Sequence, residues 1–137
     1  MPDDKIRHLA RLGLTDATRL FGLTARALRY YEEIGLIQPQ RDRLNHRFYG
    51  PVARRRLQWI APLRVAGLPI DEIREVIRAE ECEGRGRAFA LARLRSRRTE
   101  LCRAMTDVDA AIGACSSPSE GGPWRETVAP AQRGRLG

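Results

Sequence analysis

Apolar positions recur with helical spacing at four places in the first 78 residues, and then along one sustained seam from residue 91 to 115. In LTDATRLFG, Ala17, Leu20 and Phe21 repeat at i, i+3 and i+4, which predicts a short amphipathic helix. Thr15 or Asp16 is the expected cap and Gly22 the expected end. Thr24 then suits the N-cap of a second helix running to about Ile34. Helix, glycine turn, helix is the helix-turn-helix pattern. At about 100° per residue, Ala27, Leu28, Tyr31 and Ile34 share one arc of the second helix, and Arg26, Arg29, Tyr30 and Glu33 the opposite one. The apolar arc packs, leaving the cationic arc to solvent or to a ligand.

Past Gly35 and Pro39, QRDRLNHRFYG alternates well enough for a two-stranded wing turning at Leu44-Asn45-His46 and carrying Arg41, Arg43 and Arg47. Leu57, Ile60 and Leu63 mark another helix, in which Pro62 removes a hydrogen bond and introduces a kink. Ile70, Ile73, Val76 and Ile77 give one more apolar stripe, with Trp59 off the main stripe and packed toward the second half. EECEGRGR, residues 80 to 87, reads as a break because of its two glycines. Beyond it, positions 91, 94, 98, 101, 105, 108, 112 and 115 follow alternating steps of three and four. Their occupants, Leu91, Leu94, Arg98, Leu101, Met105, Val108, Ile112 and Cys115, predict a coiled-coil seam interrupted only by Arg98. A buried unpaired cation is costly, so Arg98 must reach solvent or a carboxylate such as Glu100 of a second copy. A lone amphipathic helix packed on the first half is the alternative.

Charge sharpens the picture. The 137 residues hold 25 Lys and Arg against 17 Asp and Glu, a net +8. Residues 1 to 78 carry 15 basic and 9 acidic side chains, and 79 to 137 carry 10 and 8, so the excess lies in the first half. That distribution fits a nucleic-acid module joined to a more neutral element. Two guanidiniums and a phenol on an exposed helix face suit phosphate contacts and base-edge readout in a major groove. No Gly-rich phosphate loop, Ser/His/Asp order or paired acid in an apolar setting appears, which argues against an enzyme. No apolar run approaches the roughly 20 residues of a membrane span, and MPDDKIRHL is too polar for a signal peptide; the expected location is cytoplasmic.

Together, TARALRYYEEIGLI, NHRFY, L-x-x-I at 57 to 60 and GLPIDEI at 67 to 73 resemble the winged-helix signature of the MerR family of bacterial transcription regulators, over residues 14 to about 78. The resemblance implies a mainly α fold, a winged helix-turn-helix with a small β wing, followed by a long antiparallel dimerisation helix. It divides the chain into an arm at 1–13, the DNA-binding domain at 14–78, a hinge at 79–86, a dimerisation helix at 87–115 and a flexible tail at 116–137 carrying Trp124. Position by position, Arg29 and Tyr30 match the family's recognition-helix R-Y, and Arg47 with Tyr49 its wing R-x-Y. Arg26 matches a further family arginine, with Ala27 in place of the usual Thr. His46 stands where an aromatic or Gly is common, and with Thr24 and Arg43 completes the expected DNA-contact set. The implied partners are double-stranded promoter DNA at a pseudo-palindromic site, RNA polymerase holoenzyme and a second copy of the chain. The implied action is bending and untwisting an over-long promoter spacer.

Metal-sensing relatives carry one cysteine just before the dimerisation helix and others just after it, from the opposite subunit. Cys82 matches the first position and Cys115 the next, the two lying symmetrically about the middle of the helix. SSPSEGGPW then supplies no further Cys or His, so an inter-subunit Cys82–Cys115 pair suits a thiophilic ion such as Cu(I) or Hg(II), held linearly, and tetrahedral zinc lacks ligands unless the acids or Cys102 contribute. The other reading is structural: Cys115 as a small seam residue, Cys102 flanking it, Cys82 in a loop. His8 and His46 are too scattered to complete a metal site. A constitutive regulator, or a DNA-architectural protein without an effector, remains open beside the sensor.

Overall fold

A computed structural model describes residues 11 to 117. The arm before Arg11, with His8, and the tail beyond Ser117, with Trp124, lie outside the described residues. The chain divides into two units, one ending at Arg97 and the other beginning at Arg98. No helix among the described residues is long and apolar enough to cross a membrane.

The first unit opens with α1, Leu14–Phe21, and α2, Ala25–Glu33. Gly22 joins them at φ 64°, a left-handed conformation that costs glycine no Cβ clash. The N-cap of α1 is Gly13, with no side-chain cap. Thr15 and Asp16, the expected caps, sit inside the first turn instead, where the Asp16 charge favours the positive end of the helix dipole. Thr24 caps α2 as its sequence predicts, its Oγ1 accepting from the Ala27 amide at 3.0 Å. The helix stops one residue short of Ile34, which is its C-cap.

The wing consists of β1, Gln40–Arg41, and antiparallel β2, Arg47–Phe48, with Gln40 opposite Phe48 and Arg41 opposite Arg47. Its turn is longer than Leu44-Asn45-His46, because Asp42 organises it: Oδ1 accepts from the amides of Leu44 and His46, both at 2.9 Å. Those bonds close an Asx-type turn, and Asn45 takes the left-handed conformation at φ 64° that asparagine tolerates. The His46 amide, and then that of Leu44, hold the Asp42 carboxyl below its ordinary range. Leu12 adds a third partner through a backbone bridge to Tyr49, with N···O distances of 3.2 and 2.7 Å. Leu12 is fully buried, so the folded unit begins before residue 14 and the expected arm boundary is too late.

Then come α3, Pro51–Val65, α4, Ile70–Glu83, and α5, Gly86–Ser116. Pro51 occupies the first turn of α3, where a missing N–H costs nothing. Pro62 is exposed and the helix runs through it to Val65. Leu57, Ile60 and Leu63 of α3 and Ile73, Val76 and Ile77 of α4 meet Leu28, Tyr31, Leu36, Ile37 and Leu68 in one core that buries no charged side chain among the described residues. Burying each such aliphatic side chain contributes about 1.5–3 kcal/mol. Trp59 is half-buried against this core and lines a 440 Å³ groove with Arg55, Gln58, Ile77 and Glu80.

The break expected over 80 to 87 is narrower. α4 continues to Glu83, and Gly84 at φ 65° ends it, the amides of Gly84 and Arg85 returning to the carbonyls of Glu80 and Ala79. Cys82 is therefore an exposed residue of the last helical turn rather than a loop residue. The new helix starts at once, the Gly86 amide donating to Glu80 Oε2 at 2.9 Å. In the first unit Gly86 and Ala90 of α5 are buried, Phe89 and Leu94 are partly buried against the core, and Arg93 pairs with Glu75 at 2.8 Å. In the second unit the helix from Arg98 to Ser116 exposes Leu101, Met105, Val108 and Ile112 by half or more of their surface.

Candidate nucleic-acid interface

The arc argument for α2 holds in three dimensions. Leu28 and Tyr31 are buried, Ala27 and Ile34 pack against the core, and Arg26, Arg29, Tyr30 and Glu33 are exposed, Tyr30 by 48%. Ala25, Arg26, Arg29, Tyr30 and Glu33 line one shallow concavity on that face. The helix N-terminus, capped by Thr24, adds its unpaired amides and positive dipole end to the same side. At the wing, Arg43, Leu44 and His46 are exposed, with His46 Nδ1 3.4 Å from Asp42 Oδ2. Exposed cations on a helix N-terminus and on a wing tip make a surface suited to a polyanion.

Two expected contact residues do not belong to that surface. Tyr49 is 2% exposed, its hydroxyl donating to Glu32 Oε1 at 2.5 Å, so it cannot reach a ligand without leaving the core. Arg47 is two-thirds buried and ion-pairs with the same Glu32 carboxylate. Burial, and then the neighbouring carboxylate, push the Tyr49 phenol above its ordinary range, and the bond Arg47 donates to Glu32 raises Arg47. The wing R-x-Y thus faces the protein. Glu32, absent from the expected set, is the residue both of them hold.

Arg11 was also outside that set. Its guanidinium lies over the Phe48 ring, 4.7 Å from the centroid, and 3.9 Å from Asp42 Oδ2, which places a further exposed cation on the wing. The apolar alternation of Leu12 and Leu14 beside it is the signal that would have marked this stretch as structured, and the expected arm at 1–13 passes over it. Arg56 and Arg74 lie behind the interface and brace the α2–β1 connection, donating to the carbonyls of Leu36 at 3.0 Å and Ile34 at 2.7 Å.

Residues 12–80 match the family described as MerR HTH family regulatory protein. The chain belongs to the MerR family. It is accordingly a MerR-type helix-turn-helix transcriptional regulator, of a family that regulates transcription and is not an enzyme family. The HTH-type transcriptional regulator HmrR of Rhizobium leguminosarum bv. viciae is 27% identical over 97 residues, 71% of this chain and 75% of that protein. The Heavy metal-dependent transcription regulator 2 of Rhizobium meliloti (strain 1021) is 30% identical over 67 residues, and the match spans 48% of this chain and 46% of that protein. A MerR family transcriptional regulator from Bacillus cereus has a similar fold, with TM-score 0.61 and 24% identity over 77% of each chain. A second, from Listeria monocytogenes, gives 0.53 and 23% over 90% of this chain and 92% of that one.

Within this MerR fold, the predicted seam divides. Leu94 packs against the core of the first unit and Leu91 is 43% exposed, so the first seam positions are partly used inside the chain. Leu101, Met105, Val108 and Ile112 keep an exposed apolar row. Cys82, Cys102 and Cys115 are free and exposed. Among the described residues, no three or more His, Cys, Asp or Glu side chains cluster as metal ligands would.

Proposed function

We propose that this MerR-type regulator binds a pseudo-palindromic promoter site as a homodimer, with Thr24, Arg26, Arg29 and Tyr30 of α2 in the major groove and Arg43 and His46 of the wing on the flanking backbone. The observation that carries the reading is the exposure of Arg26, Arg29 and Tyr30 on the face of α2 opposite the buried Leu28 and Tyr31. Two-fold pairing along Leu101, Met105, Val108 and Ile112 sets the half-site spacing. Deformation of the DNA between the half-sites then makes the promoter usable by RNA polymerase holoenzyme, the bending energy being offset by added backbone contacts. The test is selection of duplexes from a randomised pool, followed by anisotropy titration of the enriched duplex. Arg29→Ala weakens binding by about 1–3 kcal/mol if it reads a base, or reduces the salt slope by about one if it contacts only phosphate. Unchanged affinity and slope would refute both roles.

A second reading adds an effector. The exposed thiols of Cys82, at the end of α4, and Cys115, near the end of α5, are free to bind a thiophilic ion between subunits. The name of the Rhizobium meliloti relative, a heavy metal-dependent regulator, favours the same class of signal. Tetrahedral zinc does not suit one chain, because no cluster of three ligands forms among the described residues. Two thiolates suit Cu(I) or Hg(II). Anaerobic titration of the reduced protein with Cu(I), Hg(II) and Zn(II), beside Cys82→Ser and Cys115→Ser, decides the matter. Tight binding lost in both variants supports the sensor; no binding beyond a free-thiol control leaves a regulator without a metal effector.

A further inference from the structure

The wing has only two residues in each strand, and a ribbon of that size does not hold a position by itself. Its placement must come from ties to the body. One tie is the backbone bridge of Tyr49 to Leu12. The other runs to the recognition helix, through Glu32 on the last turn of α2, which receives both the Tyr49 hydroxyl at 2.5 Å and the Arg47 guanidinium. Arg47 and Tyr49 are two apart along an extended chain, so their side chains project to the same side, and one carboxylate can take both. Phe48, between them, projects to the other side and is covered by Arg11. The Glu32 carboxylate is largely buried and its charge is met by Arg47.

We infer that Glu32 is a positioning residue for DNA recognition, which sets the wing against the recognition helix through Tyr49 and Arg47, so that these two act on Glu32 and not on DNA. The inference rests on the DNA-binding reading above. Without the latch, α2 still presents Arg26 and Arg29, but Arg43 and His46 lose their fixed distance from them. Two phosphate-directed groups held in register bind as one surface; released, they must be ordered at the moment of binding. A purely electrostatic view gives the opposite sign, since removing a carboxylate near a DNA-facing helix tightens binding to a polyanion.

The full chain and its Glu32→Gln, Tyr49→Phe and Arg47→Met variants would be titrated over a salt series. Two probes serve, the duplex enriched by the wild type and a mixed-sequence sonicated duplex. Glu32→Gln and Tyr49→Phe are expected to weaken the enriched duplex about tenfold, near the lower edge of what a hydrogen bond to a charged group contributes. The double variant should lose less than the two singles combined. Neither should lower the salt slope, because no phosphate contact is removed, and the mixed-sequence duplex should weaken by no more than the enriched one. Amide exchange gives a readout independent of DNA: residues 42 to 48 should exchange faster in Tyr49→Phe while α2 does not. Equal or tighter binding by Glu32→Gln would make the carboxylate a plain repulsive charge and overturn the inference. A salt slope lowered by about one in Arg47→Met would put Arg47 on a phosphate and do the same. A global rise in exchange would reduce the contact to ordinary stability. A wild type that enriches no duplex removes the DNA-binding reading itself and the inference with it, a failure visible before any variant is tested.

Discussion

Arg56 grips Glu81 at two points, Nε donating to Oε1 at 2.7 Å and Nη2 to Oε2 at 2.9 Å, which fastens α3 to the last turn of α4. The same guanidinium reaches the Leu36 carbonyl, so one side chain ties both helices to the segment that follows the recognition helix. The bond from Arg56 holds Glu81 below its ordinary range. The folded value is thus lower than the unfolded one, and the stabilisation is present above the unfolded carboxylate pKa and lost as pH falls through the folded value. Both side chains are partly exposed, so solvent screening limits the effect to less than about 1 kcal/mol. Glu81→Gln should melt below the wild type at neutral pH, the gap closing as pH falls below the ordinary carboxylate range. Circular dichroism melts across that range check it; a gap that persists in acid would assign the loss to packing.

Thr24 carries the start of α2 through a single side-chain bond. Thr24→Ala should cost about 1 kcal/mol in urea denaturation, and Thr24→Ser should restore most of it. Equal stability of the Ala variant would mean that water caps the helix as well as the hydroxyl does.

Gly86 and Gly113 lie in the same helix and should respond oppositely to alanine. A Cβ on Gly86 would stand 2.6 Å from Glu80 Cβ and Oε2 and 3.2 Å from the Val76 carbonyl. Gly86→Ala must therefore shift the α4–α5 joint, at about 1–3 kcal/mol. Gly113 has nothing within 4 Å, and Gly113→Ala should raise stability by roughly 0.5–1 kcal/mol through backbone entropy alone. Denaturant midpoints of the two variants, compared with the wild type, provide the measurement.

The exposed row of Leu101, Met105, Val108 and Ile112 is the surface on which the dimer proposal stands or falls. Sedimentation equilibrium should give a dimer for the wild type and a monomer for Met105→Glu combined with Val108→Glu, since two buried carboxylates without partners are costly. A dimer that survives the pair of substitutions would place the contact elsewhere.

Much of this architecture is written in local chemistry. Thr24, Gly22 and the arc of Ala27, Leu28 and Tyr31 specify α2 and turn Arg26 and Arg29 outward, because capping and helical period depend only on near neighbours. The wing pattern and the stripes of α3 and α4 are legible for the same reason. Sequence spacing does not locate a helix end to the residue where glycines are frequent, and Gly84, rather than the whole 80 to 87 stretch, ends α4.

By itself, the sequence determined the order of the helices, which face of α2 is cationic and the charge asymmetry between the halves, all consequences of spacing along one chain. Tertiary structure alone decided that Tyr49 and Arg47 turn inward to Glu32, 17 residues before Tyr49, that Leu12 joins the wing, and that Leu94 leaves the seam for the core. An arginine and a tyrosine two apart look the same in sequence whether they meet phosphate or carboxylate. Only packing brings the carboxylate within hydrogen-bonding distance, and burial then removes the water that would compete for it.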